Sequence, residues 1–309
     1  MNSFWDLFSS VNFYVTIISL ATPIIFASLA ALISSKAGVV NISIEGTMLV
    51  SALVGAIFST LLNSAVLGIL MAAFAGVLMG LIFGFSTIKL KTNEILVGIA
   101  LNILAAGLVI FIIYALTGNK SDYSSVPLKP ISIPLLKEIP IIGEIFFDSL
   151  NILVYLAIAM VIFITFFLKR TVLGIRIQAV GQNAKAVDSI GVSSEKIKMI
   201  ALMIAGALAG LGGAYMSIGF MSSFNTGMIA GRGFIGLAAE AIGAGIPYVT
   251  ALFALVFGMV NAFSLTAQTI TGVNIPYELL NTLPYFVTVI GLVIFAVIKK
   301  RRNKINNKG

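Results

Sequence analysis

Runs of roughly twenty apolar residues follow one another along this chain, and about that length is what a helix needs to cross a bilayer. Of its 309 residues, 59% are hydrophobic and only 10% are charged, with 29 glycines besides. Soluble domains carry about 25% charged residues, so an ordinary soluble enzyme is excluded. Disorder is excluded too, because disordered chains are poor in apolar residues. A transmembrane β-barrel would read as ~10-residue alternating segments, and none occurs. The expected fold is an all-α polytopic membrane protein, with residues 1–309 forming a single domain.

Nine spans are read, within a range of eight to ten: 11–33, 42–62, 65–88, 93–117, 150–168, 198–218, 232–246, 248–267 and 282–298. The seventh is short and suits a re-entrant or broken helix. Gly38, Asn41 and Gly46 crowd the start of the second. Basic residues orient the set. With the N-terminus outside, the cytoplasm receives Lys36, Lys89, Lys91, six Lys or Arg within 169–198 and six more within 299–309. The outside receives Lys120, Lys129 and Lys137, with Arg232 at the outer edge of the seventh span. The reverse orientation opposes the tendency of basic loops to stay cytoplasmic. The sequence therefore predicts a multi-pass protein of a bacterial plasma membrane, N-terminus out and C-terminus in. Residues 118–149 form a proline-rich external loop and 169–197 a cytoplasmic loop. Residues 299–309 form a basic tail beside anionic membrane lipid. The net charge of +8 is thus read as topology, not as affinity for nucleic acid. The first ten residues lack a basic start, so no cleaved leader is expected.

Spans one to four begin outside and spans six to nine begin inside. That pattern suggests two inverted halves, each with a glycine-rich break near its second span, at 38–46 and 227–236. Gly68, Ala72, Gly76, Gly80 and Gly84 share one face of the third span, and Gly206, Gly210 and Ala214 one face of the sixth. Such stripes let helix backbones approach closely in lipid and carry no chemistry of their own.

Cysteine and histidine are both absent. No thiolate or imidazole metal site and no Ser-His or Cys-His catalysis is possible, so no catalytic and no metal-ligating residue is expected. No Gly-rich loop ending in Lys-Ser or Lys-Thr occurs, so ATP is not bound that way.

The longest cytoplasmic loop holds the most informative stretch, Gly174 to Val192. Asn183 suits a helix N-cap and Gly191 a C-terminal stop. Between them Ala184, Val187 and Ile190 share a face, while Lys185, Asp188 and Ser189 take the others. A helix this short does not persist alone in water, so it must dock. One option is the membrane surface, which Arg176 and Lys185 would suit. The other is a coupling helix inserted into a separate ATPase subunit.

Gly174, Ala179, Gly181, Asn183, Ala186 and Gly191 resemble the cytoplasmic loop of ABC importer permeases of the branched-chain amino acid, ribose and nucleoside group. The stretch Ala37-Gly-Val-Val-Asn-Ile-Ser-Ile-Glu-Gly-Thr-Met-Leu is similar to the nucleoside branch of that group, and so is Gly231-Arg-Gly-Phe-Ile-Gly-Leu-Ala-Ala. The resemblance implies an ABC importer permease fold and a nucleoside cargo, with sugar or branched-chain amino acid as alternatives. It implies a paralogous second permease chain, two ATP-binding subunits that carry ATP and Mg, and an external substrate-binding lipoprotein. This chain would hold no cofactor. Gly181, Asn183, Ala184, Val187, Ile190 and Gly191 would couple it to the ATPase.

Ionisable residues inside a span default to functional candidates. Glu45 and Glu240 qualify, although Glu45 could instead satisfy broken backbone or pair with Lys36. Asn41, Asn102, Asn225, Asn261 and Gln268 could serve a base and a ribose, and Phe220, Phe224 or Phe263 could stack on them. The rival class is an ion-coupled secondary transporter using Glu45 or Glu240.

Overall fold

The computed structural model describes residues 10–118, 122–131, 142–148, 150–268, 282–284, 286–291, 293 and 297. The helices are α1 (Val11–Lys36), α2 (Ile44–Leu61), α3 (Ala65–Gly84, continued by a π-helical turn over Phe85–Lys89) and α4 (Glu94–Thr117). There follow α5 (Ile142–Phe147), α6 (Ile152–Arg170), α7 (Val172–Gln182) and α8 (Ala184–Ser189). Last come α9 (Ser194–Ala214, continued by a π-helical turn over Tyr215–Phe220), α10 (Arg232–Gly243) and α11 (Pro247–Ala267). Strands β1 (Asp122–Ser124) and β2 (Ser223–Asn225) pair antiparallel, Tyr123 opposite Phe224.

Among the described residues, seven helices are long and apolar enough to cross a membrane: α1 to α4, α6, α9 and α11. These are seven of the nine spans expected, and the one read as short and suited to a broken helix has that form. Span 232–246 is α10, of 12 residues. At 1.5 Å per residue it is about 18 Å long, short of a ~30 Å hydrocarbon core. Left-handed backbone bounds it, at Gly231 before it and at Ala244 and Gly245 after it. Span 42–62 is one helix from Ile44, and the break lies before it, over 37–43. Most of span 282–298 and the whole tail 299–309 lie outside the described residues. The external loop is not irregular throughout, since it contributes β1 and α5, and Ile131 bridges to Leu150.

Helix α1 is the centre of the bundle. Every residue from Leu20 to Ser34 is buried, as expected of a helix apolar all round. Helices α4 and α6 bury only 28% of their most apolar windows, so most of each lies on the outside of the bundle. Lipid tails remove most of the hydrophobic drive between helices, and close packing takes its place. The glycine stripes do this where α3 crosses α9. A Cβ on Gly76 would strike the Gly206 carbonyl, and one on Gly206 would strike the Gly76 carbonyl. The α1–α11 crossing has the same character, with Gly258 pressed on Ala21.

Contacts also sort the two ends of the bundle. Gly38 lies against Gly181, Lys89 Nζ is 2.6 Å from Glu195 Oε2, and the Lys36 side chain lies over Gly245. These contacts gather the C-terminus of α1, the α3–α4 connection, α7, α8 and the N-terminus of α9 at one basic end. At the other end the β1–β2 pair and Asn151 lie beside the end of α9, where Asn151 Nδ2 donates to the Gly219 carbonyl at 3.0 Å.

Candidate functional site

Two irregular segments, 37–43 and 226–231, penetrate the bundle, and each ends where a helix begins. Non-helical backbone at membrane depth is tolerated only where its polar groups find partners inside the protein. Here side chains supply them. Asn41 Oδ1 accepts from the Ser43 backbone N–H at 3.0 Å and from the Ser43 hydroxyl at 2.7 Å. Asn102, reaching across from α4, donates to the Ile42 carbonyl at 3.0 Å and accepts from the Gly46 N–H at 2.8 Å. Glu94 Oε2 accepts from the Val40 N–H at 2.6 Å. In the second segment Asn225 Oδ1 accepts from the Gly227 N–H, and the Arg232 guanidinium donates to the Met228 and Ile229 carbonyls.

The two segments meet at Glu45. Its carboxylate accepts the Gly231 N–H at 2.8 Å and the Gly233 N–H at 2.7 Å. Glu45 sits in the first turn of α2 and closes the first turn of α10. The N-termini of α2 and α10 thus meet at one carboxyl group, and a helix N-terminus, worth about half a positive charge, attracts such an acceptor. Gly233 is glycine for a steric reason. A Cβ there would lie 2.7 Å from the Glu45 Cα.

Depth follows from neighbours. Gly236 of α10 packs on Ala27 and Ser28 of α1, and Gly213 of α9 packs on Met48 of α2. Ala27 stands nine residues before Lys36, about 13 Å along the helix. The junction is therefore near the middle of a ~30 Å core. From it α2 runs toward the end bearing β1 and β2, while α10 runs toward the basic end.

This geometry reassigns most of the polar candidates. Asn41, Glu45 and Asn102 are occupied by backbone. Glu45 does not pair with Lys36, which instead lies over Gly245 and beside Glu240. Glu240 is half-buried on α10, beside Ser35 and Lys36. Arg232 lies at the mid-depth start of α10 and not at its outer edge. Phe224 is wholly buried in the β1–β2 pair and packs in the core. Asn261 donates to the Phe257 carbonyl one turn back on α11 at 2.8 Å. Phe220 stacks on Tyr215 with centroids 6.2 Å apart, and Phe263 packs with the Phe13 cluster. Beside the junction an open groove of about 600 Å³ is lined by Ile42, Ile99, Phe234, Ala238 and Val289, with Thr288 its polar group. Such a wall offers little to hydrogen-bond a polar solute.

At the basic end Asn183 caps α8 by accepting the Ala186 N–H at 3.1 Å, and Gly191 has φ +83°. The shared apolar face expected of Ala184, Val187 and Ile190 is divided. Val187 is 6% exposed and packs into the chain's own core, with Ala184 partly buried against it, whereas Ile190 is 76% exposed. The helix ends at Ser189, so Ile190 leaves the helical register and turns outward. Asp188 fastens the next turn, accepting the Ser194 N–H and hydroxyl, both at 2.8 Å. These bonds hold its carboxyl below the usual carboxylate range. Gly181 touches the end of α1 so closely that a Cβ there would strike the Lys36 carbonyl.

The sequence gives little hint of two of these roles. Glu94 reads as a first-turn helix acid, which it is, but its carboxylate also holds the Val40 N–H 54 residues away. The Gly181–Lys36 contact is non-local, so no spacing rule exposes it.

The chain matches a family described as branched-chain amino acid transport system / permease component over residues 13–298. It is 31% identical over 283 residues to the nucleoside ABC transporter permease protein NupC of Lactococcus lactis, covering 89% of each chain. It is 32% identical over 283 residues to the guanosine ABC transporter permease protein NupQ of Bacillus subtilis, again covering 89% of each. A putative glucose ABC transporter permease protein of Haloferax volcanii is 32% identical over 298 residues, covering 90% of this chain and 89% of the relative. No solved structure matches the chain.

Proposed function

The chain belongs to the branched-chain amino acid transport system / permease component family, which makes it the non-catalytic membrane subunit of an ABC transporter, and from that premise we propose that its cargo is a nucleoside. One observation carries the choice. The two stretches that resemble the nucleoside branch, 37–49 and 231–239, are the two that meet at Glu45. Names of relatives alone decide less, because the putative glucose permease is as similar as the guanosine one. That equality keeps a sugar as the second reading.

The family implies ATPase partners, where ATP is used, and a binding protein. Paralogous permeases exist among the relatives, as in the NupP and NupQ proteins of one organism. We take the partner permease to be such a paralogue. The basic end faces the cytoplasm on this reading, with the N-terminus outside. Helices α1 to α4 form one half, and α9, α10, α11 and the segment from 282 form the other, inverted. Two pairs of equivalent contacts support it: α1 on α11 matches α9 on α3, and α10 on α1 matches α2 on α9. The count of nine crossings belongs to the same proposal, with α10 as the broken member.

In the cycle we propose, the ATPase grips α8 and the exposed Ile190. Motion passes through the Gly181–Lys36 contact to 37–43 and to Glu45. Glu45 then acts as a clasp between the halves and does not bind cargo. Nucleoside passes between the two permease chains, where a weak site suffices because the binding protein delivers it. An ion-coupled carrier built on Glu45 or Glu240 is the reading that family membership displaces.

The test is uptake by the complete importer in proteoliposomes loaded with ATP. Labelled guanosine and uridine should accumulate, with glucose and leucine at background. Glucose uptake without nucleoside uptake would overturn the assignment.

A further inference from the structure

Where α6 and α11 meet at the basic end, a groove of about 430 Å³ opens to the outside of the bundle. Its walls are Val161, Ile162, Thr165 and Phe166, and its mouth is Lys169, Arg170 and Tyr248. The residues 161, 162, 165, 166 and 169 recur at one-, three- and four-residue steps, which places them in a stripe on one helix face. From Val161 to Arg170 the stripe is about 13 Å long. Ile162 and Phe166 are exposed, and so is Tyr248.

The groove thus has two unlike ends. The upper part is apolar, which suits the hydrocarbon zone of a bilayer. The mouth holds two cations and a phenol, which suit the level of the headgroups. Among the described residues no acidic side chain lines it. Among the described residues the ion pair is Lys89 with Glu195, so neither Lys169 nor Arg170 is neutralised by a carboxylate there. Basic pockets between transmembrane helices on the cytoplasmic side suit anionic lipid headgroups. Arginine supplies a forked donor for phosphate and lysine a point charge.

We infer that this groove is a binding site for one anionic phospholipid, its phosphate on Lys169, Arg170 and Tyr248 and an acyl chain along Val161 to Phe166. The site does not depend on which solute the importer carries. Charge complementarity names the occupant, and the apolar stripe distinguishes a lipid from a free phosphate.

The test is native mass spectrometry of the assembled importer, released from nanodiscs of mixed phosphatidylglycerol and phosphatidylcholine. The wild-type complex should retain phosphatidylglycerol over phosphatidylcholine. The double variant Lys169→Gln/Arg170→Gln should lose at least tenfold of that retention while still assembling with its ATPase. The charge-preserving swap Lys169→Arg/Arg170→Lys should keep most of it. Thermal stability read in parallel should rise with phosphatidylglycerol and not with inorganic phosphate. Equal retention by the glutamine variant, or loss by the charge-preserving swap, would overturn the site. Equal stabilisation by inorganic phosphate would reduce it to a free-anion site and overturn the lipid.

Discussion

Glu45 Oε2 accepts the backbone N–H of Gly233 at 2.7 Å, joining the first turn of one broken helix to the first turn of another. The two residues are 188 positions apart in sequence. Hydrogen bonds to a charged group contribute about 1.5–3 kcal/mol each, and leaving a buried donor unmade costs a similar amount. Glu45→Ala should therefore separate α10 from α2, and uptake should fall at least tenfold. Glu45→Gln keeps one carbonyl oxygen and should lose less. Vesicle uptake checks both, with ATPase co-purification as the control for assembly. An alanine variant with wild-type uptake would remove Glu45 from the mechanism.

Gly181 sits where any side chain would collide with α1. A Cβ would strike the Lys36 carbonyl and lie 3.0 Å from the Gly38 nitrogen. Overpacking of this kind typically costs 1–3 kcal/mol. We expect Gly181→Ala to reach the membrane and bind the ATPase. Its ATP hydrolysis should no longer rise when loaded binding protein is added. Normal stimulation would show that this contact transmits nothing.

The division of the α8 face separates two substitutions that sequence alone would treat as equal. Ile190→Asp alters an exposed residue, so the permease should stay folded and lose ATPase co-purification. Val187→Asp buries an unpaired charge in the permease's own core, a change costing several kcal/mol. Its melting temperature and membrane yield should fall first. If Ile190→Asp retains the ATPase while Val187→Asp folds normally and loses it, the coupling face is the one the sequence suggested.

Asp188 provides a pH signature. Its folded pKa is lowered by the Ser194 N–H and hydroxyl. The stabilisation is therefore present above the unfolded value of about 3.9 and is lost as pH falls through the folded value. A fluorophore on a cysteine introduced at Lys185 should report constant mobility from about pH 8 to 5 and a rise well below 4. Asp188→Asn should be mobile throughout. A transition near neutral pH would assign the effect to another group.

The long spans were legible because their signal is local: about twenty apolar residues suffice wherever they occur. The breaks were legible as clusters of glycine and asparagine. What fills them is legible only in part. Satisfying broken backbone is one of the roles the sequence leaves open to Glu45, and it is the role the structure shows. Asn41 and Asn102 read as polar groups stranded in a membrane, which is what a solute site also looks like in sequence. Only tertiary structure distinguishes a side chain facing a solute from one facing an unpaired backbone amide. The α8 face failed for a smaller reason. Helical periodicity was extended one residue too far, and Ile190 lies past Ser189, where the register ends. Span 232–246 reads as short in the sequence, and positive φ at Gly231 and Ala244 supplies the physical reason, which apolarity alone does not encode.

The Glu45 clasp also sets a timetable for synthesis. Ribosomes add about 5–20 residues per second, so Gly233 follows Glu45 by roughly 10–40 s. During that interval α2 has already left the ribosome, yet the partners for its carboxylate do not exist. The segment 37–43 waits too, since Asn102 is made 60 residues after the Ile42 carbonyl it satisfies. The first half of the chain must therefore linger beside the insertion machinery, or in water, until the second half arrives. Arrested chains truncated just before and just after Gly233 should differ sharply in how readily α2 is extracted from the membrane.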